Sequence, residues 1–328
     1  MEKSQAEARH VAEALCQYPA CLIVTHVNPE GDAIGSMLAL ALALEQRGVV
    51  VTCYDRDGVP DNCRFLPTWE RVRTTLPAEI PPLVIYVDAD SLARCGLKAE
   101  DLPGATAFVR IDHHLTSTPD LGPSLVDTHA AAAGELVYAL LSLLGAKLTP
   151  DIATCLQTAL MVDTGRFSYT NTTPNTLRVA ADLVAAGAAV PTIVEWTWGR
   201  VKFVAAKLLG RAMNSLQTSP DGRIAWAVLR NEDFLACGAS AEDTEGLIDH
   251  VRAVRDAEVA ALFSEKRGVV RVSLRSTSSV DVAQIARQFQ GGGHVRAAGL
   301  TYDGLIEYAV CDVLHAIEAA LSGTGHSA

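Results

Sequence analysis

Short apolar runs alternate with stretches of helical periodicity in the first half of the chain. Four runs are short and rich in β-branched residues, which predicts buried strands: ACLIVT (20–25), VVVTCYD (49–55), LVIYV (83–87) and AFVRI (107–111). The intervening periodicity predicts helices at 33–47, 131–144, 150–162 and 174–186. This alternation is typical of an α/β fold, a mainly parallel sheet with helices on both faces.

The pattern of predicted strands and helices changes in the second half of the chain. No strand pattern appears from about 115 to 222, and strand runs resume with RIAWAVLR at 223–230. Two further runs flank EKRG (265–268), as the strands of a hairpin would. A helix at 281–289 precedes GGGH, and an amphipathic helix at 305–321 follows. We predict a first domain at 1–195, a helical linker at about 187–215 and a smaller α/β domain at 216–328.

Composition narrows the classes of partner. A chain of 328 residues with 49% hydrophobic residues is large enough for two globular domains. Lys and Arg total 27 against 38 for Asp and Glu, giving a net charge of -11. This balance disfavours binding along a long nucleic acid, whose phosphates require a basic surface, but it permits small anionic substrates. The eight cysteines contain no C-x-x-C pair, so neither a zinc knuckle nor a redox motif is indicated.

The chain shows no signal for membrane insertion. Its opening, MEKSQAEARH, is charged and is not followed by the apolar core of a signal peptide. The most apolar helical stretch, AIGSMLALALALE, is too short to cross a bilayer. We therefore expect a cytoplasmic protein that does not bind membranes.

Acidic and imidazole side chains collect where predicted strands and one helix of the first domain end. They are His26, Glu30, Asp32, Asp88, Asp112, His113, His114 and Asp163. Ligands of open α/β sheets bind beyond the carboxyl ends of the strands, so we expect these groups to converge. His26 or Asp32 alone is typical of a turn or helix cap, and Asp163 of a helix end. The joint pattern favours a site over these separate roles.

The donor types of this cluster indicate a metal site. Closely packed carboxylates repel one another unless cations neutralise them. Carboxylate and imidazole donors without thiolate suit Mn²⁺, Mg²⁺ or Fe²⁺ better than structural zinc. Two such ions, roughly 3.5–4 Å apart, would generate a hydroxide nucleophile and hold a phosphoryl group for attack.

Motifs along nearly the whole chain carry a family resemblance. In order, they are THVNPEGDAIGS, VDADSLARCG, VRIDHHLTST, LMVDTGRFSYTNT and VSLRSTSSVDVAQIARQFQGGGHVRAAGL. With them the chain resembles the DHH phosphoesterase superfamily, in the branch that carries a DHHA1 domain. Length and layout are most similar to the nanoRNase type, a bifunctional oligoribonuclease and 3'-phosphoadenosine-5'-phosphate (pAp) phosphatase. RecJ exonucleases share both domains but are longer and add a nucleic-acid-binding domain.

The resemblance implies two divalent metal ions, with Mn²⁺ the leading expectation and Mg²⁺ or Fe²⁺ the alternatives. It implies two sites that share Asp88, with His26 and Glu30 completing one and Asp32, His113 and Asp163 the other. The family usually has aspartate where Glu30 stands, and the extra methylene moves this carboxylate by roughly a bond length.

Asp112 and His114 are the predicted catalytic residues beside the metals. The resemblance implies that His114 faces the substrate phosphate or the leaving oxygen instead of a metal. We expect Asp112 to orient the imidazoles of His113 and His114, as carboxylates commonly do around metal-binding histidines.

The second domain is expected to bind the substrate. Three consecutive glycines allow a ligand to approach the backbone, and their amides can form an anion-binding nest. The resemblance assigns this region to nucleotide binding across a cleft from the metals. The predicted substrate residues are Arg275, Ser276, Gly291, Gly292, Gly293, His294 and Arg296.

Three hypotheses of function follow. The leading one is a metal-dependent phosphohydrolase that cleaves very short oligoribonucleotides or dinucleotides to mononucleotides and dephosphorylates pAp, through two-metal activation of a bridging hydroxide. The second is an inorganic pyrophosphatase or exopolyphosphatase, for which nucleotide recognition by Arg275 and GGGH would be unnecessary. The third is a non-catalytic nucleotide-binding protein, suggested by Glu30. The expected partners are short RNA, dinucleotides or pAp, without long nucleic acid, and a homodimer stays open.

Overall fold

The computed structural model describes residues 2–115, 119, 121–266 and 268–323. The chain forms two compact units, Met1–Arg200 and Val201–Ala328. Residues 116–118 of the motif VRIDHHLTST and Arg267 of the predicted EKRG turn lie outside the described residues.

The first unit is built on a six-stranded parallel sheet. Its strands are β1 (Ala20–Val24), β2 (Val50–Tyr54), β3 (Val72–Arg73), β4 (Leu83–Val87), β5 (Ala107–Asp112) and β6 (Ser124–Val126). Their order is β3-β2-β1-β4-β5-β6, and every pair is parallel. The order reverses between β1 and β4, so the carboxyl ends of these two strands flank the crevice where such sheets bind ligands.

Helices cover one face of this sheet. They are α1 (Glu2–Cys16), α2 (Gly31–Glu45), α3 (Ala133–Leu144), α4 (Pro150–Asp163) and α5 (Pro174–Ala185). Alternate strand residues such as Ile23 and Ile85 share one core with α1–α5. Thr149 and Thr173 cap α4 and α5, and each is followed by proline at the first helical position, which explains where both helices begin. The short α6 (Val190–Val194) continues into a π-helical turn at Glu195–Gly199.

The sequence predicted helices on both faces of the sheet, but the opposite face is covered mainly by a connection between strands. Val84 and Tyr86 pack there against Leu92, Leu97 and Leu102 from the connection between β4 and β5. This connection contains only a 3₁₀ turn, at Ala99–Asp101. These leucines are five residues apart, a spacing that does not keep side chains on one face of an α-helix. Further 3₁₀ turns lie at Asp61–Cys63 and Trp69–Arg71.

The second unit has a mixed sheet between two layers of helices. Its strands are β7 (Gln217–Thr218), β8 (Ile224–Leu229), β9 (Val259–Lys266), β10 (Val269–Ser276), β11 (Gly292–His294) and β12 (Ala297–Tyr302), in the order β11-β12-β10-β9-β8-β7. One core lies under α7 (Phe203–Asn214), α8 (Asn231–Cys237) and α9 (Leu247–Arg252), and the other under α10 (Val282–Gln288) and α11 (Ile306–Gly323). A 3₁₀ turn lies at Glu242–Thr244. The predicted β9–β10 hairpin is confirmed by the pairing of Lys266 with Val269.

Several elements differ from the sequence prediction. Strands β6 and β7 lie between residues 115 and 222, where none was expected, and β3 and α1 were not predicted. These three strands are two or three residues long, too short to show an alternating pattern.

Among the described residues, no single helix is long and apolar enough to span a membrane. One helix pair bent by 116°, Pro174–Ala185 with Val190–Gly199, meets the length and composition criteria jointly.

Candidate metal centre

Asp88 lies between two imidazoles at the end of β4. Its φ of 57° is left-handed, which is uncommon for a residue other than glycine. Its side chain is only 3% exposed, with Oδ2 3.4 Å from Nε2 of His26 and Oδ1 3.4 Å from Nε2 of His113. The carboxylate therefore presents one oxygen to each histidine.

Backbone carbonyls orient both imidazoles. Nδ1 of His26 donates to the carbonyl of Val27 at 3.0 Å, and Nδ1 of His113 donates to the carbonyl of Ala130 at 3.2 Å. A histidine whose Nδ1–H is engaged in this way leaves Nε2 available as a metal ligand. Both Nε2 atoms face Asp88.

Asp32 and Asp163 bring two helix ends to His113. A Cβ atom on Gly31 would lie 2.5 Å from Val162, so glycine lets the start of α2 approach the end of α4. Oδ2 of Asp32 lies 3.6 Å, and Oδ2 of Asp163 lies 3.2 Å, from Nε2 of His113. The ring nitrogen is thus surrounded by carboxylate oxygens of Asp32, Asp88 and Asp163.

The electrostatics of this cluster are those of a site that attracts cations. Burial and the nearby charges of Asp88 and Asp163 raise the pKa of Asp32 well above its usual value. Burial lowers the pKa of His113, but contacts with Asp163 and Asp88 outweigh it and raise this pKa to about 12. In the same way, burial lowers the pKa of His26, but Asp88 and the carbonyl of Val27 together outweigh it and raise this pKa to about 9. The imidazoles and carboxylates of the cluster therefore interact strongly with one another.

The residues present fit a metal ion. Oδ1 of Asp88 and Nε2 of His113 are buried and have no hydrogen-bond partner among the described residues. Donor atoms of Asp32, His113 and Asp163 lie within 4.8 Å of one another, as do those of Asp88, His113 and His114. These oxygen and imidazole donors suit a divalent cation such as Mn²⁺.

His114 is oriented by Asp112. Its Nδ1 lies 2.8 Å from Oδ1 of Asp112, and its side chain is 46% exposed. The sequence prediction that Asp112 orients both imidazoles is wrong for His113, because the carbonyl of Ala130 takes that role. Asp112 and His114 form a pair at the exposed side of the cluster.

Glu30 stands apart from Asp32, Asp88, His113, His114 and Asp163, the grouped donors. It is exposed at the N-cap of α2, where its side chain makes no capping bond. Its charge is one of the causes that raise the pKa of His26. Neither group of donors found among the described residues includes Glu30.

Asn171 supports the cluster through two hydrogen bonds, and the sequence did not predict this role. Its side-chain amide donates to the carbonyl of Asp163 at 3.0 Å and to that of Ala131 at 3.1 Å. The neighbouring carbonyl, of Ala130, holds His113. Asn171 thus joins two segments that carry donors, but its sequence context, TNT, is equally typical of a turn.

The substrate residues predicted in the second unit divide between two faces of its sheet. Arg275 pairs with Ala297 and Ala297 with His294, so Arg275 and His294 belong to one row across β10, β12 and β11. Ser276 is buried, and its hydroxyl donates to the carbonyl of Ser278. Because successive strand residues face opposite sides, Ser276 lies on the other face of the strand from Arg275, and substrate binding by Ser276 stays a prediction. Arg296 is exposed between β11 and β12.

The three glycines before His294 serve different purposes. A Cβ atom on Gly291 would lie 2.4 Å from the carbonyl oxygen of Gly299, and one on Gly293 would lie 2.4 Å from that of Ala297. Gly293 also has a φ of 140°. These two glycines are explained by the close packing of β11 on β12. A Cβ atom on Gly292 would meet nothing within 4 Å, so Gly292 alone leaves open space beside the sheet.

Comparisons with known proteins agree with this architecture. Residues 20–160 match the model of the DHH family, N-terminal domain, and residues 227–323 match that of the DHHA1 domain. The bifunctional oligoribonuclease and PAP phosphatase NrnA of Thermus thermophilus is 34% identical over 309 residues, covering 93% of this chain and 91% of that protein. The Bacillus subtilis protein of the same name is 25% identical, with 86% and 89% covered.

Solved structures share the fold. An exopolyphosphatase-related protein from Bacteroides fragilis superposes with a TM-score of 0.87 at 23% identity, covering 96% of both chains. RecJ of Thermus thermophilus, in complex with Mn²⁺, gives a TM-score of 0.56 at 15% identity, covering 95% of this chain and 55% of that one. With both domain models matched and the 34% identity to the Thermus NrnA protein, the chain belongs to the DHH family of phosphoesterases and carries a DHHA1 domain.

Proposed function

We propose that this enzyme is a metal-dependent phosphohydrolase that cleaves very short oligoribonucleotides or dinucleotides to mononucleotides and dephosphorylates pAp. The observation that carries the proposal is the position of Asp88, with one carboxylate oxygen 3.4 Å from each of two Nε2 atoms. A carboxylate placed in this way suits a bridge between two cations. The names of the two NrnA relatives support the substrate class.

In this proposal the donors divide into two shells around Asp88. His26 and Glu30 complete one, and Asp32, His113 and Asp163 complete the other. Divalent cations held by these residues would supply an activated water nucleophile and neutralise the charge of the phosphoryl group. The ligand set with Asp32, His113 and Asp163 is supported by the 3.2–3.6 Å distances from Nε2 of His113 to the surrounding carboxylate oxygens. The assignment of Glu30 is supported by its contribution to the raised pKa of His26 and by the family motif.

His114 acts on the leaving group. Asp112 holds Nδ1 of His114 at 2.8 Å and so fixes the orientation of the ring. Nε2 then gives its proton to the leaving oxygen as the phosphorus–oxygen bond breaks and the elements of water are added across it. Arg275 and His294 of the second unit bind a substrate phosphate, with Arg296, exposed next to them, contributing further positive charge.

The experiment measures phosphate release from pAp and mononucleotide release from an RNA dinucleotide with Mn²⁺, Mg²⁺ or EDTA. An Asp88→Asn variant serves as the inactive control, and Asp90→Asn removes a carboxylate that follows the same strand and belongs to neither group of donors. We expect activity on both substrates that requires the metal, is abolished in Asp88→Asn and is retained in Asp90→Asn. Activity on pyrophosphate alone would contradict the proposal and indicate a pyrophosphatase. Activity on none of these substrates would contradict it and indicate a binding role.

A further inference from the structure

We propose that the face of the sheet in the second unit that carries Arg275 and His294, together with a groove at its Arg271 end, binds the phosphodiester backbone of RNA longer than a dinucleotide, with Arg271 as a phosphate-binding residue. The proposal rests on the proposed function, because it names the part of the substrate that this unit recognises. Arg271 lies outside the set of substrate residues predicted from the sequence.

The register of the sheet places Arg271 on the same face as Arg275. The row of Arg275, Ala297 and His294 is followed by a row of Ser273, Gly299 and Gly292, and then by the pair Arg271 and Thr301. Residues two apart along a strand face the same side, so these rows form one surface. Arg271, Gly299 and Thr301 are exposed on it.

A groove of about 830 Å³ opens at the Arg271 end of this surface and extends around the edge of β12 to Leu300 and Tyr302 on the opposite face of the sheet. Arg271, Ser273, Gly299 and Thr301 line it from the strands, and Gln290 and Gly291 line it from the turn after α10. Strand β11 pairs only with residues 297–299 of β12, so the groove lies where β12 extends beyond its short neighbour. Its size is within the range of small-molecule binding sites.

The row between the two arginines consists of small residues. Ser273 and Gly299 of this row line the groove, and Gly292 continues the row next to it. Gly292 has no neighbour within 4 Å of a Cβ position, so packing within the unit does not require glycine there. Because this row has no large side chains, a ribose or base can lie against the backbone between the two guanidinium groups.

Arg271 supplies a positive charge that the described structure does not neutralise. Its guanidinium makes no hydrogen bond or ion pair with any residue described, whereas Arg223 and Arg230 of the same unit pair with glutamates. In a chain of net charge -11, an exposed arginine of this kind in a groove is suited to a phosphate.

Spacing assigns the two arginines to different phosphates. Arg271 and Arg275 are four residues apart on one strand, a separation of roughly 13 Å at 3.3–3.4 Å per residue. The two phosphates of pAp are attached to one ribose and lie closer together than that distance, so engaging both arginines in extended conformations takes a longer chain than pAp. The carboxylates of Asp303 and Asp312 line the other part of the groove and repel further phosphates. The groove therefore favours a chain of a few nucleotides over a long one.

The test measures binding of pAp and of RNAs of 2, 5 and 24 nucleotides by competition with a fluorescent 5-mer, in EDTA so that no substrate is cleaved. The variants are Arg271→Gln, Gly292→Val and the control Arg255→Gln, which removes an exposed arginine of the same unit that does not line the groove. We expect Arg271→Gln to weaken 5-mer binding about tenfold while pAp binding changes by less than about twofold. Gly292→Val should weaken the 5-mer equally without lowering the melting temperature.

The outcomes separate this proposal from the proposed function. An equal loss for pAp and the 5-mer, no loss for the 5-mer, or an equal effect of Arg255→Gln would each overturn the assignment of Arg271. Absence of 5-mer binding by the unaltered protein would also overturn it. Length-dependent binding without hydrolysis when Mn²⁺ is restored would support the groove and contradict the proposed hydrolytic function.

Discussion

Asp88 illustrates how backbone and side chain act together at a single residue. A left-handed conformation of a residue with a side chain costs about 1–3 kcal/mol and persists where the surrounding structure enforces it. Here the amide of Asp88 donates to the carbonyl of Ile111, and its carboxylate lies between His26 and His113. The strained turn therefore coincides with the proposed bridge.

Replacing Asp112 tests its role as a positioning residue for His114. We expect Asp112→Asn to lower kcat on pAp by roughly 10²-fold, because an amide no longer orients and charges the imidazole as a carboxylate does. The affinity for Mn²⁺, measured by calorimetry, should change less than about threefold, since Asp112 contacts no grouped donor except His114. A loss of Mn²⁺ affinity as large as the loss of kcat would instead make Asp112 part of the metal site.

Asn171 is expected to support the metal site from outside it. Asn171→Ala removes the two hydrogen bonds that join Asp163 to the segment holding His113, and we expect Mn²⁺ affinity to fall about tenfold. Asn175→Ala, an exposed asparagine at the start of α5, is the matched control and should bind Mn²⁺ normally. Unchanged affinity in Asn171→Ala would show that the site does not depend on this link.

Sequence patterns predict acids and histidines better than their supporting contacts. A buried strand followed by DHH identifies chemistry because three ionisable groups need partners, whereas Asn171 in TNT resembles any turn residue. Ser276 shows a second limit, since its neighbour Arg275 lies on the other face of the same strand. Contacts of this kind depend on three-dimensional proximity that one local segment does not encode.

At the scale of elements, α2 supplies the cap of α3. The N-cap residue of α3, Ala132, has no capping side chain. Asp32 of α2 accepts from the amides of Ala133 at 2.7 Å and Gly134 at 3.0 Å, and also from the hydroxyl of Ser36. The positive end of the α3 dipole favours this buried carboxylate. Asp32 thus has a structural role in addition to its proposed role as a ligand.

This double role predicts that replacing Asp32 and replacing Asp163 change the stability of the fold by different amounts. In EDTA, we expect Asp32→Asn to destabilise the protein by about 1–3 kcal/mol, because an amide cannot accept all three hydrogen bonds. Asp163→Asn should not lower the midpoint of urea unfolding, because burial and Asp88 already raise the pKa of Asp163 and oppose its charge. Equal destabilisation by both substitutions would contradict the capping role.

Long elements were predictable and short ones were not. The strand at 83–87 and the helices α3, α4 and α5 agree with the sequence prediction to within about two residues, because apolar periodicity specifies them and Thr-Pro pairs mark the starts of α4 and α5. Strands β3, β6 and β7 have two or three residues, and GGH became an edge strand only because β12 offers it backbone partners. Pairing of this kind depends on tertiary structure instead of local pattern.

On the scale of the whole molecule, the two units contribute different chemistry. The grouped metal donors all belong to the first unit, and the groove with Arg271 belongs to the second. The net charge of -11 restricts positive surface to local positions such as Arg271, Arg275 and Arg296. We therefore expect selectivity for short substrates to come from the second unit and metal dependence from the first.

The number of Mn²⁺ ions bound per chain tests the central claim, a two-ion site bridged by Asp88, most directly. Equilibrium dialysis of the metal-free protein should give two ions for the unaltered chain. Asp88→Asn should weaken both, because Asp88 lies between the two proposed shells, and Glu30→Ala should weaken only one. A single ion in the unaltered chain, or two ions retained with full affinity in Asp88→Asn, would contradict the account.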